Sequence, residues 1–370
     1  MKKILLLTSY MSGHGGVEKV IERMYKLERK LNTSFFTISL TDGNYIDDSG
    51  KSHFTAVESS DWIPHNKGKY LRLNLLSKRL NFVFHVLYVF FYILCNRVDG
   101  VIATGPIQPL YLSYIRKVTR RRFFIFGWPH FSATSGFGDF SKFKSADKIL
   151  CISKGIMNQM QTIGISTDKI KYFPNPFDNI SKSCPEAYNS VSTDTQFLYI
   201  GRFQFEKQKN IKELIKASSL LTGEFKITLI GDGEDYNKIK DRIDDEGLSS
   251  KYEIIRGWQN DPWEKLKFKP DALVLTSAFE GLPTVLGEAL SRGIPCISSA
   301  CETGPEDFIE EKENGYMYKP GEYASLAQTM QLFIDGKVSF SEQAVKESIN
   351  KLYVHAYITR FNAIMDNIYD

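Results

Sequence analysis

Short apolar runs rich in β-branched and aromatic residues alternate along the chain with stretches of helical periodicity. In the first half the helical stretches include Val17–Leu31 and Ile156–Gln161, and the predicted strands are Ile4–Thr8, Phe35–Leu40, Gly100–Ala103, Phe123–Phe126, Lys148–Ile152 and Lys171–Phe173. Continuous apolar strands separated by helices are typical of a parallel sheet that is covered on both faces. The pattern therefore predicts an α/β, doubly wound fold.

The alternation stops between Pro174 and Thr195, where three prolines and many Ser, Asn and Asp residues replace it. It resumes with a second series of predicted strands: Phe197–Ile200, Lys226–Ile230, Tyr252–Ile255, Ala272–Leu275 and Cys296–Ser298. A polar, proline-rich interval is typical of a domain boundary. We predict a Rossmann-like domain over residues 1–175, a linker over 176–195, a second Rossmann-like domain over 196–340, and a helical segment, 341–370, that packs back on the first domain.

The composition excludes several protein classes. Of the 370 residues, 42% are apolar and 24% are charged, which argues against a disordered chain, a collagen-like repeat or a small disulfide-rich scaffold. The net charge of +4 hides an asymmetry, because residues 1–180 hold 25 Lys and Arg against 13 Asp and Glu, whereas residues 181–370 hold 22 against 30. Halves of opposite charge suggest different partners, the basic half facing an anionic one. Scattered, solvated charge is the alternative.

The chain carries no clear targeting or redox signal. Its five cysteines include no C-x-x-C pair and predict neither a zinc site nor a disulfide framework. The apolar run at the N-terminus stops after Leu7 and leads into a glycine-rich turn, so it predicts a first strand rather than a signal peptide. The longest apolar stretch, Phe82–Cys95, has 14 residues, whereas a membrane-spanning helix needs about 20. We therefore expect an intracellular, cytoplasmic protein.

Basic residues flank the stretch Phe82–Cys95 on both sides: Lys67, Lys69, Arg72, Lys78, Arg79, Arg116, Lys117, Arg120, Arg121 and Arg122. One interpretation is a buried helix with solvated charges around it. The other, which does not exclude the first, is a segment that contacts an anionic membrane surface. The sequence leaves both open.

Two groups of residues suggest a phosphate site. Glycines at positions 13, 15 and 16 link the first strand to a helix, where backbone N–H groups can approach an anion. They do not form G-x-G-x-x-G, and a turn without a ligand is an equal alternative. Arg202, Lys207 and Lys209 follow strand Phe197–Ile200, at the sheet edge where α/β proteins bind ligands, and can hold a diphosphate. Ordinary surface charge is the alternative there.

The sharpest feature is a pair of carboxylates eight residues apart. Glu280 lies in the loop after strand Ala272–Leu275, and Pro283 suits the first turn of a helix that would carry Glu288. Both carboxylates can accept hydrogen bonds from sugar hydroxyls, and the amides of Thr284 and Val285 can bind a phosphate between them. A helix-terminal charge with a solvated glutamate is the structural alternative.

Together these features resemble a known family. Four motifs occur in order: Gly15-Gly16-Val17-Glu18, Gly201-Arg202 with its lysine, Gly231-Asp232-Gly233-Glu234, and the E-x7-E of Glu280 and Glu288. The combination resembles the retaining glycosyltransferases of family 4, over nearly the whole chain. Segments 126–132, 257–263, 275–281 and 293–299 are similar to the lipopolysaccharide 1,6-galactosyltransferase branch. The resemblance implies the GT-B fold, in which two Rossmann-like domains face each other across a cleft.

The resemblance also implies roles for individual residues. The first domain would bind the acceptor and the second a UDP-sugar donor. The implied catalytic residues are His130 beside the donor sugar, Arg202 and Lys209 at the diphosphate, and Glu280 at the hexose hydroxyls. The implied donor-binding residues are Gly16, Lys207, Gly231, Gly233, Trp258, Gly281, Leu282, Thr284, Val285 and Glu288, with Glu288 at the ribose and the backbone near Trp258 at the base.

Two of these positions have alternatives. Many relatives place the lysine five residues after the arginine, which is Lys207 here, whereas the galactosyltransferase branch points to Lys209, so both are retained. His130 is alternatively an ordinary buried loop residue.

The implied activity is transfer of a hexose, galactose by resemblance, from a UDP-sugar to a cell-surface glycan or glycolipid with retained anomeric configuration. No D-x-D occurs in the sequence, so we expect no metal or other cofactor, and we expect no nucleic-acid partner. One alternative is a UDP-glucose or UDP-N-acetylhexosamine transferase in polysaccharide or teichoic acid synthesis; another is an inactive nucleotide-sugar or glycan-binding subunit. The missing G-x-G-x-x-G disfavours an oxidoreductase. Contact with the inner face of the cell membrane through the basic half remains a further expectation.

Overall fold

Two parallel β-sheets organise the chain in the computed structural model, which describes residues 1–8, 16–39, 44–46, 52–54, 66–71, 78–136, 138–180, 194–259 and 261–366. The chain divides into two units. Residues 1–152, 156–176 and 357–370 form the first, and residues 153–155 and 177–356 form the second. The predicted C-terminal segment 341–370 is thus divided between the units, and the predicted linker 176–195 lies largely outside the described residues.

The sheet of the first unit starts from a strand that is apolar on both faces. The side chains of Ile4, Leu5, Leu6 and Leu7 are all buried, as expected for a strand with helices on either side. The sheet has seven strands, all parallel, in the order β5-β2-β1-β6-β7-β8-β9. Their bounds are β1 Lys2–Thr8, β2 Thr33–Ser39, β5 Gly68–Tyr70, β6 Gly100–Ala103, β7 Phe124–Gly127, β8 Lys148–Cys151 and β9 Ile170–Tyr172, with β3 Asn44–Ile46 and β4 Ser52–Phe54 in a separate hairpin.

Helices of the first unit follow the same chain order: α1 Gly16–Lys26, α2 Lys78–Cys95, α3 Ile107–Thr119 and α4 Lys154–Thr162. Helix α2 is buried along one stripe only, where His85, Val89 and Ile93 recur every four residues. The buried-helix interpretation of this stretch therefore holds for one face, while the opposite face is exposed. Among the described residues, no helix is both long and apolar enough to cross a bilayer.

The sheet of the second unit has six parallel strands in the order β12-β11-β10-β13-β14-β15. This is the 3-2-1-4-5-6 order of the Rossmann fold, and it confirms the predicted α/β fold with two Rossmann-like domains. The strands are β10 Thr195–Ile200, β11 Phe225–Gly231, β12 Tyr252–Arg256, β13 Ala272–Leu275, β14 Cys296–Ser299 and β15 Gly315–Tyr318; the helices are α5 Ile211–Ser218, α6 Tyr236–Asp245, α7 Thr284–Leu290, α8 Tyr323–Ile334 and α9 Glu342–Ser348. The last helix, α10 Val354–Asp366, belongs to the first unit from Tyr357 onward.

Several element boundaries differ from the sequence prediction. The helix predicted over Val17–Leu31 ends at Lys26, because the chain then turns through residues 27–32, with Asn32 at φ +46°. Strand β15 was missed, since four residues that include a glycine show no apolar alternation. It joins the sheet through β14, pairing Cys296 with Gly315. Tertiary pairing rather than local pattern defines this edge.

Candidate active site

The predicted site residues of the second unit gather where its strand order reverses. Strand β10 lies between β11 and β13. The chain goes from β10 to β11 and from β13 to β14, so the two connections run in opposite directions along the sheet. Ligands of open α/β sheets bind in the crevice at such a switch point. Arg202 and Lys209 follow β10, and Glu280 follows β13. The fold therefore brings two segments about 70 residues apart in sequence to one edge.

Lys209 and Glu280 form an ion pair at this edge. Lys209 Nζ lies 2.5 Å from Glu280 Oε1, and the two side chains are only 19% and 8% exposed. Gln208 supports the pair, because its Nε2 donates to the Phe279 carbonyl oxygen at 3.3 Å and lies 3.5 Å from Glu280 Oε2. Within one site, the partly desolvated ammonium can neutralise a phosphate while the carboxylate beside it accepts hydrogen bonds from sugar hydroxyls.

Backbone contacts hold the two loops of this ion pair together. The Ala278 amide donates to the Gln208 carbonyl oxygen at 2.7 Å, and Thr276 Oγ1 donates to that of Lys209 at 2.9 Å. On the other side, Thr303 Oγ1 donates to the Glu280 carbonyl oxygen. These bonds fix the backbone on both sides of the pair, so the carboxylate and the ammonium are preorganised rather than brought together by a ligand.

The residues after Glu280 lead into helix α7. Gly281 and Leu282 are buried. They can therefore bind a ligand through backbone groups rather than through the Leu282 side chain. Pro283 precedes the helix, and no side chain caps it. The first amides of a helix lack carbonyl partners within it, which leaves those of Thr284 and Val285 as donors suited to an anion.

Glu288 is oriented by an aromatic side chain. Trp263, which is buried, donates from Nε1 to Glu288 Oε2 at 3.3 Å. The guanidinium of Arg292 lies over the Trp263 ring at 4.4 Å from its centroid and also donates to the Glu288 carbonyl oxygen at 3.0 Å. One carboxylate oxygen of Glu288 is thus held by the protein, on the helix that starts shortly after Glu280.

The two glycines of the predicted donor loop have a packing reason of their own. A Cβ at Gly231 would lie 1.9 Å from the Gly201 carbonyl oxygen, and one at Gly233 would lie 2.3 Å from that of Phe203. The loops after β10 and β11 run this close because the Phe203 amide donates to the Asp232 carbonyl oxygen at 2.8 Å. Glycine is required here by the protein's own backbone, whatever ligand binds.

Three further predicted residues lie on the surface of the second unit. Arg202 has an exposed side chain, and its carbonyl oxygen accepts from the Tyr199 hydroxyl at 2.9 Å. Lys207 adopts φ +61° and pairs with Glu234 at 3.3 Å, whereas Lys209 is the candidate lysine that pairs with Glu280. Trp258 follows β12 and is 49% exposed, which leaves its ring accessible to a planar group.

His130 and Gly16 belong to the first unit. His130 is buried against Trp128, with ring centroids 4.1 Å apart, and burial lowers its pKa to about 3. The imidazole is therefore neutral near pH 7. Its Nε2 has no hydrogen-bond partner within the described part of the chain. Gly16 is the first residue of α1, whereas positions 13 and 15 lie outside the described residues.

Sequence reasoning missed three residues that support the site, namely Gln208, Trp263 and Thr303. Trp263 belongs to a segment quoted for the family resemblance, but only Trp258 received a role there. Gln208 stands between the two candidate lysines, and only the lysines were assigned a role. Thr303 is distant in sequence from Glu280, and no local pattern links them. The supporting role of Thr303 is therefore visible only in its hydrogen bond to the Glu280 carbonyl oxygen in the folded chain.

Comparison with known proteins identifies the family. The family model for group 1 glycosyl transferases matches residues 182–351. Lipopolysaccharide 1,6-galactosyltransferase of Salmonella typhimurium is 33% identical over 97% of both chains, and that of Escherichia coli K12 is 35% identical over 72% of this chain and 74% of that protein.

Solved structures agree with this. The lipopolysaccharide outer core galactosyltransferase WaaB in its apo form matches with a TM-score of 0.83 at 31% identity, covering 98% of this chain and 99% of the other. Anabaena Alr3699/HepE in complex with UDP shares the fold, with a TM-score of 0.75 at 17% identity over 100% and 99% of the two chains. The chain therefore belongs to the group 1 glycosyltransferases, sugar-transferring enzymes of the GT-B fold.

Proposed function

We propose that this glycosyltransferase is a retaining enzyme of family 4 that moves galactose from UDP-galactose to a cell-surface glycan or glycolipid. The observation that carries the proposal is the preorganised Lys209–Glu280 pair at the switch point of the second sheet. The relatives named as lipopolysaccharide 1,6-galactosyltransferases support the choice of sugar and acceptor class. The basic first half is the proposed acceptor side, facing an anionic glycolipid or membrane at the inner face of the cell membrane.

The proposed donor pose follows the charges of the site. Lys209 and Arg202 hold the diphosphate, with the α7 amides of Thr284 and Val285 as further donors. Glu280 accepts hydrogen bonds from hydroxyls of the hexose. Glu288, which Trp263 orients, accepts hydrogen bonds from those of the ribose. Negative charge grows on the diphosphate as the anomeric C–O bond breaks, and fixed cations and amides stabilise it there.

Glu280 and Glu288 do not serve as an acid and nucleophile pair, since Glu288 is assigned to the ribose. We propose instead that the acceptor hydroxyl attacks from the face that the diphosphate leaves. The leaving diphosphate then takes up the proton of the attacking hydroxyl. This keeps the anomeric configuration, and neutral His130 serves as a hydrogen-bonding partner of the donor sugar.

Release of UDP from a panel of donors tests the activity. We expect release from UDP-galactose in the presence of a lipopolysaccharide-core or lipid-linked glycan acceptor, and much less from UDP-glucose or UDP-N-acetylhexosamines. EDTA is expected to leave the rate unchanged, because the proposal uses no divalent metal. Release from none of the donors, with UDP still bound, would favour the inactive binding subunit instead.

A pair of lysine variants tests which lysine holds the diphosphate. Lys209→Ala is expected to weaken UDP binding by at least about 10-fold, since a charge-assisted hydrogen bond contributes about 1.5–3 kcal/mol. Lys207→Ala, a matched control five residues after Arg202, is expected to change the UDP affinity less than about 3-fold because that lysine is exposed. Isothermal titration calorimetry measures both, and the reverse order would assign the diphosphate to Lys207.

A further inference from the structure

The outer face of helix α2 is apolar and exposed. Six large side chains recur at helical spacing along it and are between 37% and 57% exposed: Leu80, Val83, Phe84, Leu87, Phe91 and Leu94. The helix buries the opposite stripe, so the exposed one is not needed for the core. Monomeric proteins rarely expose a contiguous set of large apolar side chains without using it.

Helix α3 lies beside α2 and has exposed apolar side chains of its own. The rings of Phe82 on α2 and Tyr111 on α3 lie 6.1 Å apart, and Arg121, just after α3, donates to the Leu94 carbonyl oxygen at 2.7 Å. Two more large apolar side chains, Tyr114 and Val118, are 62% and 71% exposed on α3. We call these two side chains, together with the six exposed apolar side chains of α2 named above, the α2–α3 surface.

The chain segment that carries the α2–α3 surface is strongly basic. Residues 62–138 hold eleven Lys and Arg and a single acidic residue, Asp99. Asp99 is buried, accepts from the Lys3 amide at 2.8 Å and pairs with Arg97 at 3.3 Å. Exposed basic side chains stand at the start of α2 and at the end of α3: Arg79, Lys117, Arg120, Arg121 and Arg122.

We propose that the α2–α3 surface docks on an anionic lipid bilayer, with α2 lying in the interface and the basic side chains at the headgroups. Leu, Phe and Tyr side chains bury apolar area at the headgroup boundary, and Lys and Arg gain from anionic lipid there. A second copy of the chain is a poorer occupant, because it would set another basic segment against this one. This docking does not depend on the identity of the donor sugar.

Vesicle co-sedimentation of the full chain tests the docking. The wild type is expected to bind phosphatidylcholine vesicles that contain 30% phosphatidylglycerol, and to bind them less as NaCl is raised. The variant with Leu87→Glu and Phe91→Glu is expected to lose at least about tenfold of this affinity, because two inserted apolar side chains become charged. Leu220→Glu is the matched control: Leu220 is 53% exposed in the second unit, and its variant should bind as the wild type does.

A second variant separates charge from apolar insertion. Arg120→Glu with Arg122→Glu is expected to abolish the preference for phosphatidylglycerol over pure phosphatidylcholine. Thermal unfolding and UDP affinity should match the wild type in every variant, which shows that the fold and the donor site are intact. Equal binding of wild type and the Leu87, Phe91 variant to the vesicles overturns the proposal. So does a dimer in analytical ultracentrifugation that only this variant dissociates.

The failure of this proposal is distinct from that of the proposed activity. Loss of vesicle binding with UDP release intact overturns the docking surface, which rests on the membrane-facing side in the proposed function, and leaves the proposed sugar transfer standing. Vesicle binding without UDP release from any donor would overturn the proposed function and leave the docking surface standing.

Discussion

Replacing Glu280 by Gln is expected to lower kcat/KM for the UDP-sugar donor by at least about 100-fold. The carboxylate is nearly buried, and its two oxygens are the proposed acceptors of two hexose hydroxyls. The glutamine amide keeps one acceptor oxygen, replaces the other with a donor and removes the negative charge from both. Each hydrogen bond to a charged group contributes about 1.5–3 kcal/mol, so weakening both reaches this magnitude. The affinity for UDP, which lacks the hexose, is expected to fall less than the turnover of UDP-galactose. Steady-state kinetics and calorimetry measure the two quantities.

The control for Glu280→Gln is another buried carboxylate of the same unit. Glu213 on α5 is buried and accepts from the Gly321 amide at 2.9 Å and from the Asn210 side chain, so its carboxylate is bonded to other partners than Lys209. Glu213→Gln is expected to lower the midpoint of thermal unfolding while leaving kcat/KM within about 3-fold. Turnover of the Glu280→Gln enzyme within 3-fold of wild type would remove Glu280 from the donor site.

Gly231→Ala is expected to destabilise the second unit by at least about 3 kcal/mol. The new Cβ would lie 1.9 Å from the Gly201 carbonyl oxygen at φ +154°, and backbone atoms of two hydrogen-bonded loops cannot shift without losing their pairing. For a domain of this size the expected fall in Tm is roughly 6–12 °C. Differential scanning calorimetry measures it directly.

Gly247→Ala separates close packing from backbone conformation. Gly247 adopts φ +69°, but a Cβ there would meet nothing within 4 Å. This variant should lose only about 1–2 kcal/mol, the cost of a left-handed conformation for alanine. Equal losses at Gly231 and Gly247 would show that the close approach of the two loops is not the reason for glycine at 231.

The strands and the order of elements followed largely from the sequence. Strand Ile4–Leu7 is a continuous apolar run bounded by a glycine-rich turn, which is typical of a strand in a sheet covered on both faces. Strands β6 and β13 begin and end at the predicted residues, Gly100–Ala103 and Ala272–Leu275. Edge strand β15 could not be foreseen, since it depends on pairing with β14 and has no pattern of its own.

The candidate site was predictable in kind but not in arrangement. The spacing of Glu280 and Glu288 placed one carboxylate in a loop and the other on the following helix, as the structure has them. The choice between Lys207 and Lys209 depends on which loop each lysine faces, and only the contact with Glu280 separates them. Trp263 and Thr303 support the site through hydrogen bonds to Glu288 and Glu280, which lie more than 20 positions away in the sequence.

Hydrophobic periodicity and turn residues are local properties, and they were enough to establish the fold class, the two-domain organisation and the motifs of the family. The excess of Lys and Arg in the first half is likewise a property of the sequence alone. Which lysine meets Glu280, what holds Glu288, why Gly231 must be glycine and which face of α2 stays exposed all depend on segments distant in sequence. Such contacts form only when the parallel strands are ordered side by side, so they belong to the folded chain alone.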